Sequence, residues 1–128
     1  MSVTQIIREA EKLLPGKPSA DGDDDPRWLA MIEVASHIEV QPEPVWEFIV
    51  KWGVHPQRDL RAAVACCLLE HLLEHHFAAY FPRVRKLVLK EPLFAETFTW
   101  CWKFGQSEEP ENAEQFDKLI CHLKGPGR

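Results

Sequence analysis

The chain has 128 residues, with 45% hydrophobic and 27% charged residues and a formal net charge of −5. That is one ordinary globular domain, spanning residues 1–128 and long enough to bury a core without disulfides or metal. No apolar run approaches the roughly 18 residues of a membrane span, and Met1 to Thr4 show no positive or apolar signal region, so neither a membrane segment nor a secretory leader is expected.

Residues 2–14 read as a first helix, with Ser2 or Thr4 as cap and Ile6, Ile7, Ala10, Leu13 and Leu14 as an apolar stripe. Pro15 and Gly16 end it, and residues 17–25 form a breaker-rich connection. Its acidic run, Asp21 to Asp25, lacks the spacing and closing Glu of a calcium loop and reads as a solvated turn. Asp25 and Pro26 suit the start of a second helix, which Trp28, Leu29, Ile32, Ala35 and Ile38 carry to about Val40. Pro42 and Pro44 flank a short third helix over residues 44–52, stopped at Gly53.

The fourth helix runs from Gln57 or Arg58 to about Ala78. It is apolar almost all the way round through Ala62, Val64, Cys66, Cys67, Leu68, Leu69, Leu72 and Leu73. A helix of that kind belongs in an interior, wrapped by other helices. A fifth helix is expected from Pro82 through Leu89, and a sixth carries Phe94, Phe98, Trp100, Cys101 and Trp102 up to Gly105. Residues 106–112 form an acidic loop, residues 113–123 a last amphipathic helix, and residues 125–128 a frayed end. The expected fold is all-α, with about seven helices arranged as stacked antiparallel hairpins, either a superhelix or a compact bundle.

Asp59-Leu60-Arg61-Ala62-Ala63-Val64-Ala65, preceded by Trp52 and Gly53, resembles the second helix of HEAT-type and related armadillo-like repeats. It is also similar to the HEAT-like units of DNA alkylation repair proteins. The resemblance covers residues 44–81 and implies that Asp59 caps the helix while Arg61 packs across neighbouring repeats. The acidic charge argues against carrying over a DNA-facing site.

Three constellations bear on chemistry. His71, Glu74 and His75 fit the H-x-x-E-H pattern of a zinc peptidase, in which two histidines four apart share a helix face with a general base beside them. Only 53 residues follow His75, too few for the usual third ligand, so solvated polar residues are the simpler account. Cys66, Cys67, Cys101 and Cys121 form no C-x-x-C pair and read as reduced thiols, with Cys66 and Cys67 packed in the core. Arg83, Arg85, Lys86 and Lys90 make a basic helix in an otherwise acidic chain. Four cations are few for nucleic acid, and neutralisation by Glu91, Glu96 or the 108–111 loop is expected.

Two aromatic patches, Trp46, Phe48 and Trp52, and Trp100, Trp102 and Phe104, exceed what a small core can fully bury. The sequence therefore favours a cytoplasmic, non-catalytic scaffold or adaptor that binds another protein and needs no cofactor. Arg58, Arg61, Glu70 and Glu74 would line its groove, with Trp100 or Trp102 as apolar anchor. A zinc hydrolase using His71 and His75, or a nucleic-acid-binding HEAT-like module, is the alternative.

Overall fold

The computed structural model describes residues 2–14 and 26–124, and all their regular structure is helical. The expected 17–25 connection, the acidic run within it, the Asp25 cap and the frayed end lie outside these residues. Helix α1 spans Val3–Leu13, capped by Ser2, whose Oγ accepts the Gln5 N–H at 3.2 Å. Val3, Ile6 and Ala10 form its buried stripe. Helix α2 spans Pro26–Ala35 and stops short of the expected Val40. There Ser36 Oγ bonds back to the Glu33 carbonyl at 2.6 Å, and the next amides reach only three residues back, His37 to Val34 and Ile38 to Ala35. These tight turns swing Ile38 into the core.

Helix α3 spans Pro42–Trp52, starting two residues before the expected Pro44. Both prolines fall in its first turn, where amide hydrogens have no intrahelical acceptor anyway. Gly53 caps it with an ordinary φ of −70°, so a left-handed stop is not its role. Instead, a Cβ there would lie 2.9 Å from the Phe94 ring and 2.6 Å from the Ile49 carbonyl oxygen.

The central rod begins with α4 (Arg58–Val64), passes through a π-helical turn at Ala65–Leu69, and continues as α5 (Glu70–Lys90). Leu60, Val64, Ala65, Leu68, Leu69, Leu72 and Leu73 have no solvent exposure, so the expected interior position is observed. Each buried leucine contributes about 1.5–3 kcal/mol of transfer free energy before entropy is subtracted. The rod is not straight. His76 leaves the helical region at φ −139°, ψ 45°, and the second half restarts at Phe77 rather than at the expected Pro82. Gln106 stitches the break: its Oε1 accepts the Phe77 N–H at 2.9 Å and its Nε2 donates to the His75 carbonyl at 2.7 Å. His76 Nε2 donates to the Ile38 carbonyl at 2.9 Å.

Helix α6 spans Pro92–Thr99, and α7 spans Pro110–Lys124. Phe77 and Phe81 stack at 4.5 Å between centroids; Phe81 meets Phe98, and Phe98 meets Phe116 at 4.8 Å, joining α5, α6 and α7 through rings. The sixth helix ends earlier than the sequence suggests. Thr99 Oγ1 bonds back to the Glu96 carbonyl at 2.6 Å, and Trp100, Cys101 and Trp102 lie beyond its end. Residues 101–104 form a strap with no regular structure, closed by a 3₁₀ turn at Gly105–Glu108. No helix among the described residues is long and apolar enough to cross a membrane.

Candidate functional site

The strap runs alongside the rod in the same chain direction. Contacts are made in the same order along both. At the first end, the guanidiniums of Arg58 and Arg61 lie 5.3 and 5.6 Å from the Trp100 ring centroid. Arg61 is buried and ion-paired with Glu96, while its Nε and Nη1 have no hydrogen-bond acceptor. Asp59 does not cap from outside the helix: it sits in the first turn, where Oδ1 accepts the Leu60 N–H and Oδ2 pairs with Arg27 at 3.2 Å.

In the middle, Cys101 Sγ donates to the Ala65 carbonyl at 3.7 Å, the residue that opens the π turn. Glu70, expected to face a groove, points inward. It is only 5% exposed, and its Oε1 accepts the Trp102 N–H at 3.1 Å. Burial pushes its carboxyl above the usual range, against the opposing pull of the Trp102 N–H and of His71. At the far end Phe104 stacks on His71, 5.6 Å between centroids and 17° between planes. Gly105 has φ +51°, and a Cβ there would come within 2.7 Å of Glu74 Cγ. Only glycine suits both the backbone and the space.

His71, Glu74 and His75 are neighbours, but not as the zinc motif requires. Glu74 Oε1 sits between the imidazoles, accepting from His71 Nδ1 at 2.8 Å and lying 3.7 Å from His75 Nε2. His75 Nδ1 faces Glu39 at 3.3 Å, and His71 Nε2 lies 3.8 Å from Glu70. The ring nitrogens are thus engaged by carboxylates in an alternating chain, Glu39, His75, Glu74, His71, Glu70. No three His, Cys, Asp or Glu side chains among the described residues are placed to hold a metal ion.

The core reading of the adjacent thiols needs correction. Cys66 is exposed and Cys67 half-buried, because the outer side of the rod runs through Arg58, Ala62 and Cys66 at helical spacing; Cys101 is the buried one. Desolvation raises the Cys66 and Cys67 thiols and raises Cys101 most, so none is an activated nucleophile.

The first aromatic patch is core, with Trp46, Phe48 and Trp52 buried. The second is not. Trp102 is 72% exposed although its own amide is tied to buried Glu70. Beside it lies a hollow of about 390 Å³ lined by Thr99, Trp100, Cys101, Phe116 and Ile120, with Lys103 bridging to Asp117 at 2.7 Å along its edge. All eight candidate binding and metal residues therefore lie on the rod and strap. Phe104, which the sequence offered only as part of an aromatic patch, Gly105, offered only as a helix end, and Gln106, not singled out, complete the arrangement. The glycine after an aromatic run was a usable signal; nothing local marks Gln106, whose partners are 31 and 29 residues away. No protein-family model matches this chain, and no curated protein or solved structure matches it significantly.

Proposed function

We propose that this chain is a non-catalytic binding module, a small scaffold or adaptor of HEAT-like helical hairpins, that docks another protein on the strap face with Trp102 as its anchor. The observation that carries this is an indole held out to solvent on backbone that is fixed from within. Ordering costs are then met at folding rather than at binding, which favours affinity, and tryptophan is over-represented among interface anchors. Trp100 shares the anchor's hollow with Arg58 and Arg61 beside its ring, Glu70 holds the anchor's amide from behind, and further along the strap Phe104 stacks on His71 and Gly105 packs on Glu74. The imidazole–carboxylate chain fits this role better than hydrolysis, since it ties the rod to the 36–40 turn and to the strap. Four free thiols suit a reducing compartment, and we place the module in the cytoplasm.

Affinity capture from cells that make the protein tests the reading, comparing wild type with the Trp102→Ala, Phe104→Ala pair. The expected result is one near-stoichiometric protein retained by wild type and lost by the variant, with thermal stability lowered by no more than about 0.5 kcal/mol for the exposed Trp102 change. An identical set of proteins on both forms contradicts it.

A further inference from the structure

A second surface lies on the other side of α7 from the strap. A hollow of about 430 Å³ separates the later half of α5 from α7. Phe81, Arg85 and Leu89 line one wall at four-residue spacing; Gln115, Lys118, Leu119 and His122 line the other. Phe81 and Leu119 are buried and make an apolar floor, and Leu89 remains 49% exposed. The rim is cationic, and no carboxylate belongs to the lining.

The neutralisation expected for the basic helix does not occur as the sequence suggests. Glu96 is taken by Arg61, and Arg83 alone is paired, bonding to both oxygens of Glu43. Among the described residues Arg85, Lys86 and Lys90 make no ion pair, and Lys118 meets only Glu114, at 3.3 Å on an open surface where such a pair is worth little. Cations in the last turns of helices offset the carbonyl ends of the dipole, which accounts for Lys90 and His122. It does not account for Arg85 or Lys118, which lie further inside.

We propose that this hollow receives an acidic amphipathic helix from a partner protein. Charge complementarity selects the occupant: on a chain of net charge −5, an acidic segment is attracted to the cationic rim and repelled by most of the remaining surface. The walls select its conformation. Both are helices, and the described residues offer no strand edge for an extended peptide to pair with, so apolar side chains at helical spacing must enter from above. Leucine-like side chains settle between Phe81, Leu89 and Leu119 while carboxylates on either side meet Arg85 and Lys118. This surface does not depend on the strap face being a docking site.

The test is fluorescence anisotropy with the full chain and a labelled peptide of about four helical turns, bearing leucines at i, i+3, i+4 and i+7 and glutamates elsewhere. Arg85→Glu with Lys118→Glu is expected to weaken binding at least about tenfold, and Leu89→Ala about threefold or more. Lys86→Glu with Lys90→Glu makes the same change in net charge on the neighbouring α3-facing side, and is expected to weaken it less than about threefold. Scrambling the leucines out of register abolishes binding. The proposal is overturned if the peptide does not bind, if both charge-reversal pairs weaken it equally, or if the scrambled peptide binds as well. It is equally overturned if duplex DNA or anionic vesicles bind at Arg85 and Lys118 while the peptide does not.

Discussion

Glu70 shows how one side chain serves structure at an electrostatic cost. Its carboxylate gives the Trp102 amide an acceptor, yet burial raises its pKa, so the folded state holds the proton more tightly than the unfolded chain does. Its contribution is full below the ordinary glutamate range and is lost as pH rises through the raised folded value. Glu70→Gln keeps an acceptor oxygen and removes that loss. The variant should therefore match wild type in acid and exceed it in stability at neutral pH. Glu70→Ala leaves the amide without its acceptor and should cost about 1–3 kcal/mol. Denaturant melts of the three forms at acid and neutral pH check this, and a Gln form weaker than wild type at neutral pH contradicts it. Nothing in the sequence distinguished Glu70 from Glu74 as the inward residue. Both follow an apolar run on the same helix, and the π turn, which shifts the register of everything after Leu69, carries no local signature.

At the scale of elements, the interior rod was legible because its apolar residues surround the axis, a pattern no one-sided surface helix has. Its ends and breaks were less so. The stretch through Trp102 has helix-compatible residues, but the turn at Trp100 and the capture of the Trp102 amide by Glu70 draw it into a strap. Helix propensity is weak beside such tertiary bonds. The break at His76 was similarly hidden, since the apparent breaker, Pro82, lies six residues further on and is accommodated within the second half of α5. Gln106 acts there as a remote cap. Gln106→Ala should cost about 0.5–2 kcal/mol, the range of an ordinary N-cap, and speed hydrogen exchange at Phe77. Unchanged exchange at that amide would show that the restart does not need the carboxamide.

For the whole molecule, the pattern is a leucine-rich rod wrapped by shorter helices, with two dissimilar surfaces displayed from it. One is aromatic and fixed through the strap; the other is a cationic hollow between α5 and α7. Candidate residues were legible as types, and the structure shows that their roles divide: Arg61 and Glu70 are supports, whereas Trp102 and Arg58 reach solvent. The division follows from burial, which no spacing rule reports for a rod that is apolar on nearly every side. The account stands on the strap being rigid before any partner arrives. Amide hydrogen exchange at Trp102, followed by NMR in the free protein, tests that most directly. Slow exchange that becomes fast in Glu70→Ala is the predicted result; fast exchange in the wild-type protein would contradict it.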